Sequence, residues 1–396
     1  MAVDTRFVVD SFALCSRFAA LGITEGENAL LPRSYQRVQT NYLKQNRKEQ
    51  FAVNYGETNK RFVFPESLNV LASCYLKATL PANASANYKT LPGLWVIKTV
   101  VIRSNGDLVM SVPYQTLLQD HFASLTDSEA RAKAAAQFGY VPGAASGDAR
   151  TCWLPIPLPN SSLWMYGGRG QGAYPFKSHR NNKLEISFDF YENTATTADR
   201  TNVSPALTNT EIVMKEVIAP LSQMPSLADA RGKYSLVSRR YTPIQDFTDG
   251  VNASTEHSIT VSNLSGCVPE IIIEAYAHNA NDDALDTFTP ITPSSVKLTC
   301  DSVECVNVES QDEAKLIEYS HGFRSNEFYT GNVYRLVFGS HGASIPRAFQ
   351  GAMNFSGITQ ATLKLKFPVR TRFRVTAVQM GVTAITASGR LVQKLD

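Results

Sequence analysis

The chain has 396 residues, of which 43% are hydrophobic and 18% are charged. Because single hydrophobic cores stop growing at about 250–300 residues, this length favours two domains. The 38 basic and 35 acidic side chains leave a formal net charge of +3, too small for a protein whose main task is to neutralise nucleic acid.

The amino-terminal region combines an apolar stripe with a basic stretch. Residues 5–23 place Phe12 and Phe18 among apolar residues at helical spacing, which predicts a docking helix. No secretory signal precedes it, so we expect synthesis inside the cell. The basic stretch, residues 33–61, is interpreted either as a solvated arm or as a contact with DNA, lipid headgroups or another subunit. Its basic residues include Arg33, Arg37, Lys44, Arg47 and Lys48.

The rest of the chain is dominated by short runs with a period of two, rich in β-branched and aromatic residues. In the first half the pattern predicts strands at 50–55, 61–65, 69–80, 94–103, 107–112, 151–158 and 183–191. Helix-favouring residues at 114–119 and 128–136 predict one or two short helices inserted between strands.

A second strand series follows a polar connector rich in Thr, Asn and Ala at residues 192–210. The predicted strands are 211–218, 233–241, 256–262, 269–277, 295–300, 303–308, 330–338, 360–367 and 372–382. Two strand series with few helices predict an all-β protein built from two antiparallel sandwiches, and the similar halves are compatible with an old duplication. The predicted division is an amino-terminal helix and arm at 1–48, a first domain at 49–210 and a second at 211–396.

The residues that could carry chemistry favour structural interpretations. The six histidines and six cysteines lack the spacing of a metal or redox motif, and the cysteines are predicted to be buried thiols. We therefore predict no cofactor, no metal and no catalytic residue. Three alternatives have a sequence basis: a loose dinucleotide fingerprint at 168–173, a calcium loop at Asp282, Asp283 and Asp286, and a glycosidase-like pair at Glu185 and Asp189.

Four segments occur in an order that is shared with a known family. They are Phe62–Pro65 with Leu68–Pro81; Leu94–Arg103 and its following turn; Trp153, Pro155 and Pro157 with Tyr174–Phe176 and Lys183–Phe190; and a fourth containing Gly351, Asn354, Phe355 and Ser356. Together they resemble the double jelly-roll major capsid proteins of nucleocytoplasmic large DNA viruses, virophages and their smaller relatives. The family's Arg-x-Asp after the fourth segment is replaced here by Gly357, Ile358 and Thr359.

This resemblance implies a fold of two tandem eight-stranded jelly rolls and a structural role in the virion. The expected partners are two further copies in a pseudo-hexameric trimer, neighbouring capsomers, and minor capsid or penton proteins. The amino-terminal residues, including Phe12, Phe18, Arg33, Arg37, Lys44, Arg47 and Lys48, are expected at the inner surface, where they could meet an internal membrane or the genomic DNA. The alternatives are a minor capsid or penton protein and a carbohydrate-binding or glycan-active β-sandwich protein.

Overall fold

The fold was analysed in a computed structural model. It describes residues 43–83, 87–123, 125, 128–145, 147–159, 174–179, 183–197, 204–218, 231–232, 235–246, 250–261, 263–278, 291–320, 333–338 and 352–395. The predicted helix at 5–23 and the residues Phe12, Phe18, Arg33, Arg37 and Gly351 lie outside these ranges.

The first half of the chain forms two antiparallel four-stranded sheets. One sheet has the order β1-β8-β3-β6 and the other has the order β2-β7-β4-β5. The strands are β1 (Leu43–Gln50), β2 (Lys60–Val63), β3 (Leu71–Leu80), β4 (Ile97–Ser104), β5 (Asp107–Pro113), β6 (Arg150–Pro155), β7 (Leu184–Phe190) and β8 (Thr208–Ile218).

The second half repeats this arrangement with three additional short strands. One sheet has the order β10-β17-β13-β14, and in the other β15, β12, β18 and β19 pair in turn while β9 also pairs with β18. The strands are β9 (Ser235–Gln245), β10 (His257–Thr260), β11 (Cys267–Val268), β12 (Glu270–Ala277), β13 (Ser295–Cys300), β14 (Val303–Val308), β15 (Val333–Val337), β16 (Met353–Asn354), β17 (Ala361–Lys366), β18 (Thr371–Ile385) and β19 (Leu391–Leu395).

The two halves have the same topology. When β11, β16 and β19 are set aside, each half has eight strands, and the sheet orders are first-eighth-third-sixth and second-seventh-fourth-fifth in both. This is the two-sheet jelly roll of eight antiparallel strands. The predicted fold class, a tandem double jelly roll, is confirmed.

In the part of the chain that the structure describes, three α-helices lie between strands: α1 (Tyr114–Ala123), α2 (Ser128–Gln137) and α3 (Gln311–Ser320). Helices α1 and α3 each follow the fifth strand of their jelly roll. Helix α3 begins at an N-cap, because the hydroxyl of Ser310 accepts a hydrogen bond from the backbone N–H of Glu313 at 3.1 Å. Helices α1 and α2 match the two predicted helical segments.

Alternating burial explains why the strands form two cores. In β3, Cys74, Leu76 and Ala78 are buried and the residues between them are partly exposed, so one face covers the core of the first jelly roll. In β13, Val296 and Leu298 pack in the same way into the core of the second. Each jelly roll therefore buries its own apolar interior.

The predicted domain boundaries need correction at two points. The boundary between residues 210 and 211 falls inside β8, which pairs with β1 and β3 of the first jelly roll, so that jelly roll extends to Ile218. The amino-terminal segment 1–48 likewise overlaps β1, which begins at Leu43. The connector at 192–210 has the composition of a linker, but the pairing of β8 with distant strands places the change of domain later in the chain.

Candidate assembly site

The two jelly rolls meet on the outer face of the sheet that contains β12 and β18. In β12, Ile271 and Ile273 point into the second core, whereas Ile272 between them packs with the core of the first jelly roll. Strand β5 of the first jelly roll lies beside β9 and β19. The first jelly roll thus covers a sheet face of the second, and we call this contact the junction.

Buried charges lie within the junction. The guanidinium of Arg374 in β18 donates two hydrogen bonds to the carboxylate of Glu274 in β12, Nε to Oε2 at 2.7 Å and Nη2 to Oε1 at 2.9 Å. The hydroxyl of Thr116 in α1 donates to the same carboxylate at 2.5 Å, so the pair is tied to the first jelly roll. Burial alone would lower the pKa of Arg374, but the adjacent Glu274 raises it well above its ordinary value.

A second buried ion cluster lies along the same sheet. Arg335 Nη1 donates to Glu270 Oε2 at 3.0 Å, and Arg239 Nη1 lies 3.7 Å from Glu270 Oε1. The three side chains are 8% exposed or less. Carboxylates in an otherwise Ile-rich strand are the sequence signal that could have identified this face, because isolated charges do not occupy an apolar core without partners.

The carboxyl-terminal turn also contacts the first jelly roll. The imidazole of His179 lies 2.6 Å from the hydroxyl of Tyr174 through Nε2 and 2.9 Å from the carbonyl oxygen of Gly389 through Nδ1. Because a carbonyl oxygen only accepts, Nδ1 carries the proton and Nε2 accepts from Tyr174. Burial lowers the pKa of His179 to about 4, so the imidazole is neutral at neutral pH.

The predicted motif residues Asn354, Phe355 and Ser356 join two loops at one end of the second jelly roll. The Ser356 hydroxyl accepts from the backbone N–H of Gly266 at 2.7 Å, and the N–H of Phe355 donates to the Gly266 carbonyl at 2.9 Å. The Asn354 side-chain oxygen accepts from the N–H of Ser356 at 2.9 Å. The Phe355 side chain is 1% exposed and anchors this segment in the second core.

Thr359, three residues after Ser356, attaches the chain to Asp301 in the turn between β13 and β14. Its hydroxyl donates to Asp301 Oδ1 at 2.6 Å, and the backbone N–H groups of Thr359 and Gln360 donate to the same oxygen at 3.1 and 2.9 Å. These hydrogen bonds, the Thr359 hydroxyl first, hold the pKa of Asp301 below its usual value. Thr359 and Gln360 therefore attach the segment to the β13–β14 turn through hydrogen bonds to the Asp301 carboxylate.

The β4–β5 hairpin of the first jelly roll makes a backbone contact equivalent to one made by the β13–β14 hairpin of the second. Its β4–β5 hairpin turns at Asn105, whose N–H donates to the Lys183 carbonyl at 2.8 Å. The β13–β14 hairpin turns at Asp301, whose N–H donates to the Gln360 carbonyl, also at 2.8 Å. Both hairpins have two-residue turns with positive φ and a register shift two pairs later, so the two hairpins are structurally equivalent.

Trp153 belongs to a partly exposed face that we call the basic-aromatic face. It is the outer side of the β1-β8-β3-β6 sheet, and its central residues are Tyr75, Trp153, Lys77, Lys215 and Glu211. The rings of Tyr75 and Trp153 meet edge to face at 6.4 Å, and the ammonium groups of Lys77 and Lys215 lie 5.5 Å from the Trp153 and Tyr75 centroids. Lys77 also pairs with Glu211 at 2.9 Å.

The two prolines of the third segment have structural positions. Pro155 ends β6, an edge strand that tolerates a residue without an N–H, and its carbonyl accepts from the Tyr114 hydroxyl at 2.8 Å. Pro157 is buried just beyond β6.

The basic residues that the structure describes lie in or beside β1. Lys44 is paired with Val217 through the backbone. Arg47 contacts Glu49 at 2.9 Å and the Ser67 hydroxyl at 2.7 Å, and Lys48 lies 3.7 Å from Glu211. Lys44, Arg47 and Lys48 are therefore part of the first jelly roll rather than of an extended arm, and their expected contacts at the inner surface stay a prediction.

Glu185 and Asp189 lie on one face of β7, as their spacing predicts. One Asp189 oxygen accepts from the backbone N–H of Asn59 at 2.8 Å, which gives this carboxylate a structural contact. Within the described ranges, no cluster of three or more His, Cys, Asp or Glu side chains is arranged to hold a metal ion. The fingerprint at 168–173 and the residues Asp282, Asp283 and Asp286 lie outside those ranges.

No helix in the described part of the chain is both long and apolar enough to cross a bilayer.

Of the cysteines, Cys74, Cys152, Cys267 and Cys300 are buried, as predicted, and Cys305 is partly exposed. Burial raises the pKa of the Cys152 thiol to about 12, which keeps it protonated.

No family model matches the sequence, and no curated protein matches it. Several solved structures have the same fold. The PBCV-1 protein VP54, fitted into a reconstruction of the virophage Sputnik, superposes with a TM-score of 0.66 at 13% identity, covering 90% of this chain and 97% of that one. The Faustovirus major capsid protein gives 0.59 at 10% identity, covering 96% and 97%. The mavirus major capsid protein gives 0.55 at 12% identity, covering 90% of each chain.

Proposed function

We propose that this chain is a viral major capsid protein that self-assembles into pseudo-hexameric trimers, and that these trimers tile an icosahedral shell around a double-stranded DNA genome. The observation that carries the proposal is the presence of two complete jelly rolls with the same strand order in one chain. The likeness to the PBCV-1, Faustovirus and mavirus capsid proteins over at least 90% of the chain supports it.

The shape of a subunit with two jelly rolls suits the formation of a shell. Two similar jelly rolls side by side give a subunit a roughly square footprint, and three such subunits around a threefold axis present six similar units. Closed rotational symmetry of this kind produces a tile without open ends. The role is geometric: it depends on the shape of the subunit and on its contacts, and we infer no catalytic step.

The proposal places the protein in the virion and gives it three kinds of partner. They are further copies of itself in the trimer, neighbouring trimers, and minor capsid or penton proteins where the shell curves. The basic side chains before β1 are proposed to bind an internal membrane or the genomic DNA. A penton role is disfavoured, because such a protein generally needs one jelly roll and this chain has two.

The test is the mass of the purified protein in solution, measured by light scattering, followed by negative-stain imaging of the same fraction. We expect about three times the chain mass of 43.5 kDa and particles with a hexagonal outline. A monomer at all concentrations, without that outline, would overturn the proposal.

A further inference from the structure

We infer that the basic-aromatic face of one subunit binds the β14 edge and helix α3 of a second copy of this chain. The inference deepens the proposed function and rests on it, because it assigns the surfaces through which subunits join. Each of the two surfaces would bind the other surface on a neighbouring subunit.

The junction inside one chain provides the template. There, the outer face of the second jelly roll's β9-β18-β12-β15 sheet is covered by the fifth strand of the first jelly roll, β5, and by the helix that follows it, α1. The side chains on this face are buried: Arg374 is 3% exposed and Glu274 is 0% exposed. A contact of the same kind between chains would join the equivalent sheet of the first jelly roll to the equivalent strand and helix of the second.

The equivalent sheet face is the basic-aromatic face, and its aromatic and lysine side chains are less buried in the single chain than the side chains of the junction. Tyr75, Trp153 and Lys215 are partly exposed there, whereas their counterparts at the junction are buried. The Lys48 side chain is 55% exposed and that of Lys77 is 22% exposed. Partly exposed aromatic rings beside cations are typical of protein interfaces, where aromatic residues and Arg are enriched.

The equivalent strand and helix are β14 and α3. Among the described residues, Val303 in β14 and Leu316 in α3 are the two most exposed large apolar side chains, at 62% and 67%. Three carboxylates are exposed on the same two elements, on Glu304, Asp312 and Glu313. Another exposed carboxylate, that of Glu309, pairs with Lys297 at 3.5 Å.

The two surfaces are complementary in charge and in polarity. The basic-aromatic face and its rim carry Lys48, Lys77 and Lys215 against Glu211, whereas the described side chains of β14 and α3 include exposed carboxylates and two exposed apolar groups. Opposite charges steer association and fix the register, and burial of the aromatic and aliphatic groups supplies affinity.

Substitution of the exposed apolar residues tests the assignment. Leu316→Arg and Val303→Lys alter side chains that are open to solvent in the single chain, so each variant should fold with the wild-type circular dichroism spectrum. In the interface each places a charge in an apolar contact, and we expect the concentration for half-dissociation of the trimer to rise at least about tenfold. Val141→Arg, at an apolar residue that is 47% exposed in another part of the first jelly roll, is the control and should leave the trimer unchanged.

Charge reversal and cross-linking test the pairing itself. Lys215→Glu and Glu313→Lys should each weaken the trimer, and the double variant should regain most of the loss. A zero-length carbodiimide, applied to trimers assembled from isotopically light and heavy subunits, should join lysines of the basic-aromatic face to Asp312 or Glu313 of the other subunit.

The outcomes separate the two proposals. If the wild-type protein is a monomer at all concentrations, the proposed function falls and this interface falls with it. If the wild-type protein is a trimer but Leu316→Arg and Val303→Lys dissociate no more readily than Val141→Arg, or if the hybrid cross-links join other surfaces, the assigned interface is wrong and the capsid function stands.

Discussion

Arg374 and Glu274 form a bidentate ion pair that is buried where the two jelly rolls meet, with N–O distances of 2.7 and 2.9 Å. The residues are 100 positions apart in sequence and lie on neighbouring strands, and Thr116 of the first jelly roll completes the hydrogen bonding of the carboxylate. The pair therefore links two strands of the second jelly roll to each other and, through Thr116, to the first jelly roll.

Removal of one partner of this pair should destabilise the protein strongly. Glu274→Gln leaves the Arg374 charge buried without its counter-ion, which costs about 3–5 kcal/mol of unfolding free energy. Glu129→Gln provides the matched control, because the Glu129–Lys133 pair is more than 70% exposed and contributes little. Denaturant unfolding followed by circular dichroism measures both. Equal stabilities for the two variants would contradict the assigned role, and a Glu274→Met, Arg374→Met double variant should recover much of the loss.

His179 should make stability depend on pH. Its folded-state pKa of about 4 lies below the ordinary 6.5, so folding favours the neutral imidazole. Its contribution is complete above pH 6.5 and is lost as the pH falls towards 4, by roughly 3 kcal/mol in total. Gln at position 179 can make both hydrogen bonds without titrating. Thermal unfolding from pH 7 to pH 4.5 should therefore show a smaller decrease for His179→Gln than for wild type, and parallel curves would contradict the prediction.

The Asp301 carboxylate should hold the segment after Phe355 against the β13–β14 turn. In Asp301→Asn the charge is removed, and the hydrogen bonds from Thr359 and Gln360 weaken. Hydrogen exchange of the Thr359 and Gln360 amides should become faster, with little change at Leu363, which lies in the core. Thr359→Val should reproduce part of the effect and Thr359→Ser should not, because only serine keeps the hydroxyl. Unchanged exchange in Asp301→Asn would exclude this role.

Truncation should distinguish β1 from the residues before it. Deletion of residues 1–42 keeps all the strands of the first jelly roll that the structure describes, so we expect the trimer to persist while closure of complete shells is impaired. Deletion of residues 1–50 also removes β1 and leaves the β8 edge unpaired, which should lower the thermal unfolding midpoint and expose apolar surface to a hydrophobic dye. Loss of the trimer in the shorter deletion would show that residues 1–42 belong to the subunit interface.

Much of the fold could be predicted from the sequence because most strands have one buried face. The runs around β3, β12 and β18 have strong alternating or continuous apolar patterns, and the predicted strands match them. Strand β1 (LKQNRKEQ) was not predicted, because it is an edge strand of almost entirely polar residues that pairs through its backbone. Helix α3 was also not predicted. Its local sequence signal is the N-cap residue Ser310, and an N-cap residue alone does not predict a helix.

The candidate site was harder to predict because its ion pairs join residues that are far apart in the sequence. The junction pairs Glu270 with Arg239 and Arg335, and Glu274 with Arg374, across separations of 31 to 100 residues, and no local pattern encodes these partners. The Asn354–Ser356 segment was singled out from the sequence by its resemblance to a family motif, and in the structure this segment contacts Gly266 through backbone groups and the Ser356 hydroxyl.

The β4–β5 and β13–β14 turns occupy the same position in their jelly rolls but differ in sequence. Asn105 and Gly106 suit a tight turn by themselves, whereas Asp301 and Ser302 adopt the same left-handed backbone with less favourable residues, and Asp301 also anchors the Thr359 segment. A ring of six jelly rolls from three chains would therefore alternate between two kinds of unit. Such a tile has true threefold symmetry only, so its six edges are of two chemically different types, and each neighbouring tile or minor protein can distinguish which edge it meets.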